Sequence, residues 1–410
     1  MKILMVTRET QADRLYGLGR SLQPLVEEFR LRGIEVDYIC QADLGERAVR
    51  WQHRLQLFLA ALFPRRVNGT DFATLIHVLL ERINMGRVAA KLSARGGYTH
   101  VHCHDPIIAA GFRFFSWFHP GNRRCWGVTE HGFGCYVQAI NDDGVKIGQR
   151  VMSRLRAWER RTLMAACWVI APTRSCIDQT AFDLRVSQIP ATWHHVYHAR
   201  PNVNCYGKKE ARRLLGWRED VFYVLGVGRI APVKQFPLLV EACARLKTQK
   251  NIQLVILGEG NQADLRALAS QVELGREILF ATTDDIGLYL HAADLYVSIA
   301  ISESFGLANL EAMTAGTAAI CSAVGGVPEV VGDGAVLVTP ELEPLVNTMQ
   351  HLLDDESFRR ASAIKGRRRA ETWPDIRVIV NNYEKIYRQA TTSKYCQTEV
   401  VPTADTAGPP

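Results

Sequence analysis

Short aliphatic and β-branched runs alternate with longer stretches of helical period along nearly the whole chain. The runs are apolar throughout, without strict alternation, so they predict strands buried on both faces, as in a parallel sheet covered by helices. In the first half Ile3–Val6, Val36–Cys40, His100–His104, Cys125–Thr129 and Trp168–Ala171 predict strands. Helices are predicted near Gly19–Leu31, Arg47–Phe63, Phe72–Ser93, Ile107–Phe118, Gly148–Ala166 and Arg174–Leu184. The pattern restarts with strands at Phe222–Gly226, Leu254–Leu257, Ile278–Phe280, Leu295–Ile299, Ala318–Cys321 and Ala335–Val338. The helices expected with them lie near Phe236–Thr248, Gln262–Leu274, Ile286–Ala292, Phe305–Ala315, Leu342–Leu353 and Ser357–Thr372. The fold class is therefore α/β, with two doubly wound parallel sheets in succession.

A chain of 410 residues is too long for one ordinary core, which agrees with two domains. The join is placed where Arg200-Pro201-Asn202 breaks the pattern, giving domains over 1–200 and 201–374. Residues 375–390 read as a last amphipathic helix, and 391–410 are polar, aperiodic and expected to be disordered. Ten scattered cysteines without a C-x-x-C pair read as reduced thiols. The start of the chain is too short in apolar residues for a signal peptide, and no run approaches the ~18 residues of a spanning helix. A cytoplasmic protein is expected, with the inner face of the cell membrane as a further place of work.

The net charge of +7 is unevenly spread. Residues 1–200 hold 27 Lys and Arg against 17 Asp and Glu, while the remainder is slightly acidic. No recognition motif accompanies the basic half, so nucleic acid is not expected as a partner, and an anionic membrane or acceptor fits better.

Two segments concentrate chemistry. Ser302-Glu303-Ser304-Phe305-Gly306 follows a strand and opens a helix that carries Glu311 and that Gly316 closes. Ser302 or Ser304 is placed to cap that helix, Gly306 lets a ligand approach the backbone, and a helix N-terminus attracts anions. A capped surface helix with two solvated glutamates explains the spacing equally well. Gly226-Val227-Gly228-Arg229, running on to Lys234-Gln235, sets two cations at the carboxyl end of a strand. Ligands bind there in open α/β sheets, and two cations suit a diphosphate leaving group; a basic surface turn is the plainer reading.

These segments, with Val255–Gly260, Ala292–Ser298 and Gly325–Val331, stand in one order at ordinary spacing. Together they resemble glycosyltransferase family 4, the glycosyl transferases group 1, whose members are retaining enzymes of the GT-B fold: two Rossmann-like domains facing a central cleft. The likeness is dense from Gly226 to Val338 and thinner before it.

The resemblance implies transfer of a hexose-type sugar from a UDP- or GDP-sugar to a saccharide or lipid-linked hydroxyl acceptor, in polysaccharide or glycoconjugate synthesis. It implies no cofactor, no metal and no protein nucleophile. Arg229 and Lys234, with Gly228 beside them, would hold the diphosphate, and Glu311 would bind the ribose. Glu303 would contact the sugar hydroxyls, with Ser304, Phe305, Gly306 and Leu307 around sugar and phosphate. Gly258 and Gly260 would turn beneath the nucleotide. Gly17 and Gly19 resemble the family's first glycine loop, and His131 in Thr129-Glu130-His131-Gly132 its histidine near the transferring sugar. The final helix, 375–390, would cross back onto the first domain. The chain departs from the family where Gln235 replaces the glycine after the lysine, where Phe280-Ala281-Thr282 replaces F-x-G, and where Gly17-Leu18-Gly19 lacks an adjacent glycine pair.

Other features compete for a role. His100, His102 and His104 alternate along one strand face; no further ligand completes a metal site, and the strand end is expected to face the cleft with His104 and Asp105 near the acceptor. His194, His195 and His198 read as packing residues. The Arg47–Arg66 segment sets five arginines around Trp51, Leu55, Phe58 and Leu62, which suits either peripheral contact with an anionic membrane or a helix packed on the sheet. Among rival functions, a dinucleotide oxidoreductase lacks its G-x-G-x-x-G after strand one, and a sugar-nucleotide epimerase of the same two-domain fold is the alternative.

Overall fold

The computed structural model describes residues 1–10, 17–63, 66–67, 69–119, 124–142, 144–247 and 251–392. The first domain runs β1 (Lys2–Val6), α1 (Gly17–Leu31), β2 (Glu35–Ile39), α2 (Glu46–Leu62), a small hairpin of β3 (Arg66–Val67) and β4 (Thr70–Asp71), and α3 (Phe72–Arg95). It continues with β5 (His100–Cys103), α4 (Pro106–Ser116), β6 (Cys125–Thr129), α5 (Tyr136–Asp142), α6 (Gln149–Ala165), β7 (Trp168–Ala171), α7 (Arg174–Asp183) and β8 (Trp193–His195). Its sheet has the order β2-β1-β5-β6-β7-β8, all parallel, with Ile3 facing Val36 on one side and His100 on the other.

The second domain holds α8 (Lys208–Leu215), β9 (Phe222–Val227), α9 (Phe236–Leu246), β10 (Ile252–Leu257), α10 (Ala263–Gln271), β11 (Ile278–Ala281) and α11 (Ile286–Ala292). Then come β12 (Leu295–Ser298), α12 (Leu307–Ala315), β13 (Ala319–Ser322), α13 (Val327–Val331), β14 (Val336–Val338), α14 (Leu342–Asp354) and α15 (Glu356–Glu371). The order here is β11-β10-β9-β12-β13-β14, again parallel. Each sheet is sandwiched between two apolar clusters, one per face, as its continuous apolar strands require.

The elements missing from the sequence pattern are short. β8 has three residues and exists because Val169 and Ala171 of β7 pair with Trp193 and His195. α5, α8 and α13 have five to eight residues, too few to show a helical period. Cys40, Cys103, Cys125, Cys135, Cys176, Cys205, Cys243 and Cys321 are free thiols, as expected; Cys167 is in a disulfide, which corrects that expectation at one position.

The last helix, α16 (Ile376–Thr392), leaves the second domain and packs on the first. Thr391 and Thr392, expected in a disordered tail, belong to it; the rest of that tail lies outside the described residues. Its apolar stripe, Ile379, Val380, Tyr383, Ile386 and Tyr387, fills the cluster that Phe29, Trp168 and Ile170 begin. Arg32, in the turn after α1, clamps it, with Nη1 on Asn381 Oδ1 at 2.6 Å and on Glu384 Oε1 at 3.0 Å. The histidine row of β5 faces this helix, which corrects the expectation of a cleft-facing strand for two of the three. His100 Nε2 lies 3.1 Å from the Tyr387 carbonyl, and His102 Nδ1 lies 2.7 Å from the Tyr387 hydroxyl.

Tyr387 is fully buried and stacks on Phe29, so Tyr387→Ala leaves both a cavity and an unpaired Nδ1 on His102. Urea denaturation should show a loss of about 3–5 kcal/mol, the range of buried aromatic truncations. A loss under about 1 kcal/mol would mean that α16 is not needed to complete the first domain.

Candidate functional site

In the second sheet the chain builds outward from β9 to β11 and then crosses to β12 on the other side. The loops after β9 and β12 therefore part at the carboxyl edge, leaving the crevice in which such sheets hold ligands. The loop after β9 is braced by the loop after β10, with Gly228 N–H donating to the Leu257 carbonyl at 3.0 Å and Ile230 N–H to the Glu259 carbonyl at 2.7 Å. The two loops approach so closely that a Cβ at Gly258 would collide with the Gly228 carbonyl. Ile301 N–H donates to the Val233 carbonyl at 3.0 Å and joins this unit to the loop after β12. Lys234 is thereby set against Glu303, Nζ to Oε2 at 2.6 Å, with Arg229 exposed on the same loop.

Glu303 is under two opposing influences. Burial pushes its carboxyl up, but the Lys234 charge and hydrogen bond, and then the amides of Gly306 and Phe305, leave it below its usual value. Those amides point at it because Gly306 takes a left-handed conformation, φ 78°, at the start of α12. Neither Ser302 nor Ser304 caps this helix, which corrects that expectation: Gly306 is the cap, and Ser304 is used elsewhere. Leu307 begins the helix, and Gly260 lies on the bracing loop beside Ile230. Glu311, further along α12, is buried with Arg20 Nη2 of the first domain 2.5 Å from its Oε1. Burial outweighs that guanidinium and pushes Glu311 up to about 7.

The first domain closes the crevice with histidines. His104 Nδ1 lies 3.0 Å from His131 Nε2, and the His131 ring lies parallel to His198 with centroids 6.0 Å apart. His198 in turn meets Phe305 edge-on at 4.8 Å. Burial holds all three rings neutral: it takes His104 down to about 3 and His198 to about 4, and His131 is lowered by burial and by both neighbours. Ser304 bridges the domains, its Oγ donating to the His131 carbonyl at 2.7 Å while its own carbonyl accepts from Thr173 Oγ1 at 3.1 Å. Across the same seam Glu329 accepts from the Arg174 and Ser175 amides, at 2.9 and 3.1 Å, at the start of α7.

Of the residues expected at the site, Lys234, Glu303, Ser304, Phe305, Gly306 and His131 come together, with Arg229 on the loop that carries Lys234. Gly17 and Gly19 form the first turn of α1, whose next residue, Arg20, reaches Glu311. Asp105 caps α4 with one oxygen, its Oδ1 accepting from the Ile107 and Ile108 amides at 2.8 and 3.2 Å, while its buried Oδ2 lies 3.7 Å from Arg82 Nε. His198, expected from the sequence to be a packing residue, belongs to the histidine wall, and Arg20 and Glu329 were given no role of their own. His198 follows the unrecognised β8, while Arg20 and Glu329 lie in segments that the resemblance picked out but depend on the other domain for their partners. No group of three or more metal-ligating side chains occurs among the described residues.

Residues 207–369 match the family described as Glycosyl transferases group 1. A glycosyltransferase of Methanocaldococcus jannaschii is 27% identical over 348 residues, covering 81% of this chain and 83% of that protein. Sucrose-phosphate synthase from Thermosynechococcus elongatus superposes with a TM-score of 0.73 at 20% identity, covering 95% of this chain and 99% of that one. The Anabaena protein HepE in complex with UDP-glucose gives 0.67 at 18% identity, with 96% and 100% covered. At such identity these two structures establish a shared fold.

Two outcomes follow from the geometry. A histidine whose folded pKa lies below its unfolded value takes its proton first in the unfolded chain, so stability rises with pH across that interval. The histidines' share of the thermal midpoint should therefore be level above about pH 6.5, the unperturbed histidine value, and fall from there toward pH 4, while Glu311, raised to about 7, acts in the opposite sense; the midpoint of His198→Phe should fall less toward pH 4 than that of the parent, and an unchanged slope would take His198 out of the cause. Gln235 holds a left-handed φ of 52°, so Gln235→Gly should raise stability by up to about 1 kcal/mol in urea. A clear loss instead would show that the Gln235 side-chain bond to the Pro232 carbonyl matters more than the strain.

Proposed function

Because this chain is a glycosyltransferase of the GT-B fold, with a second domain of the group 1 family, we propose that it moves a hexose from a nucleoside diphosphate sugar to a hydroxyl acceptor with retention and without metal. The observation that carries the reading is the Lys234–Glu303 pair at the strand-order reversal, 2.6 Å apart and facing the histidine wall of the other domain. It supplies a cation for phosphate and a carboxylate for sugar hydroxyls within one side-chain length.

As the bond from the anomeric carbon to the diphosphate oxygen breaks, negative charge gathers on the leaving group, and Arg229 and Lys234 take it up. The acceptor hydroxyl attacks the face that the leaving group vacates, and its proton passes to the departing phosphate oxygen. Electrons and protons balance with no covalent intermediate on the protein. Glu303 and the amides of Phe305 and Gly306 orient the sugar. Glu311 accepts the ribose hydroxyls once Arg20 moves off it, and neutral His131 offers one ring nitrogen to the transferring sugar. HepE was solved with UDP-glucose, which favours UDP over GDP as carrier in this reading. The acceptor is read as a saccharide or lipid-linked hydroxyl of a cell-surface polysaccharide or glycoconjugate. The work is placed in the cytoplasm, at the inner membrane face, with peripheral contact through Arg47–Arg66. No helix among the described residues is long and apolar enough to cross a membrane. A sugar-nucleotide epimerase finds no support among the relatives named above.

A thermal-shift panel of UDP, GDP, ADP and NAD in EDTA tests the reading. UDP or GDP should raise the midpoint, equivalent to about 2.7 kcal/mol at a hundredfold excess over its dissociation constant; a response to NAD alone would overturn it. In Glu303→Ala the nucleotide shift should persist while transfer falls about a hundredfold, the scale of one lost transition-state contact. Unchanged transfer would remove Glu303 from the site.

A further inference from the structure

The expectation for Arg47–Arg66 left a choice between a helix packed on the sheet and one lying on a membrane. α2 does neither in full: it packs on α3, where Asn84 Nδ2 donates to the Ala48 carbonyl at 3.1 Å and to Gln52 Oε1 at 3.0 Å. Ala48 is the buried residue of the helix. Arg47, Arg50, Arg54 and Phe58 recur at helical spacing beside that contact and, with Leu55 and with Trp51, whose ring is covered by Arg87 of α3, line an open groove. Toward the end of α2, Leu57, Phe58 and Leu62 are each about 60% exposed, and Phe63 follows.

A second helix supplies what the sequence pattern did not show. α4 begins in the cleft region at Asp105, and its far end leaves Phe114, Trp117 and Phe118 in solvent, with Trp117 80% exposed. The two helices touch, since Trp51 meets Phe115 edge-on with ring centroids 6.2 Å apart. The corner where α2 and α4 meet thus combines the arginines of α2 with an exposed apolar end on each helix. Large apolar side chains gathered in solvent mark a contact surface. Arginines beside tryptophan and phenylalanine select an interface with phosphate headgroups above and acyl chains below. The basic surplus of residues 1–200 has the sign that such a surface requires.

We propose that the α2–α4 corner docks the first domain on an anionic lipid bilayer, with Trp117, Phe118, Phe58 and Leu62 entering the headgroup boundary and Arg47, Arg50 and Arg54 meeting the phosphates. The surface rests on the membrane contact of the transferase reading and operates without donor or turnover, so its failure removes that contact and leaves the sugar-transfer chemistry untouched.

Cosedimentation of the full chain with vesicles tests it, using phosphatidylcholine alone and phosphatidylcholine with 30% phosphatidylglycerol. The protein should pellet with the anionic vesicles at low salt, remain in solution with the neutral ones, and bind at least tenfold more weakly in 0.5 M salt. Two double variants, Trp117→Ala with Phe118→Ala and Arg50→Glu with Arg54→Glu, should each weaken binding at least tenfold. Both pairs are exposed, so circular dichroism and the melting midpoint should stay as in the parent. The proposal is overturned if the parent ignores both vesicles, or if both variants bind as well as the parent. It is equally overturned if the parent dimerises in solution and the aromatic variant abolishes the dimer, for a second copy would then cover the surface.

Discussion

Burial works against the charge on Glu303, and a lysine 2.6 Å away, together with two backbone amides at the mouth of α12, keeps it ionised. The rest of the cleft is arranged around that balance. The same loop between β12 and α12 gives its Glu303 carbonyl to the Gly326 amide at 3.0 Å and its Ser304 carbonyl to Thr173 and Cys176 of the other domain. A side chain that recognises and a backbone that joins the domains are therefore parts of one short segment. Displacing the carboxylate disturbs the seam, and displacing the seam moves the carboxylate.

Around the cleft the two domains meet through polar contacts as well as apolar ones. Glu329 sits at the N-terminus of α7, where the helix dipole and two amides favour its charge, and it lies below its ordinary value although burial opposes this. Arg20 reaches across to Glu311, and Ser304 to the His131 backbone. Hydrogen bonds of this kind are modest in net value and readily exchanged for others. A ligand with hydroxyls and phosphates offers the same groups, so its entry replaces protein partners one for one and leaves few buried polar atoms stranded.

The long elements were legible in the sequence because their apolar runs state both length and burial. β6 and β7 fall on the expected residues, and α11 does too. The three-residue β8 was not legible, since its place depends on β7 and on no pattern of its own. At the site, Lys234 and Glu303 stand out because glycines and loop chemistry cluster around them. Arg20 and His198 owe their roles to the closing of one domain on the other, a contact between residues nearly 300 and just over 100 positions apart. The strained Gln235 lies between these cases: its departure from glycine was visible, and the left-handed backbone shows what that departure means.

The return of α16 to the first domain has a consequence for how the chain is made. The sheet of the first domain is complete at His195, yet the cluster of Phe29, Trp168 and Ile170 gains its cover only with Ile376–Thr392. At ribosomal rates of about 5–20 residues per second, the intervening stretch takes on the order of 10–40 seconds to emerge. Throughout that interval the nascent first domain presents an open apolar face beside a second domain that is still forming. A translation pause or a premature stop before the codons for Ile376–Thr392 are read would strand it in that state, a natural substrate for chaperones and for the proteases that clear unfinished chains.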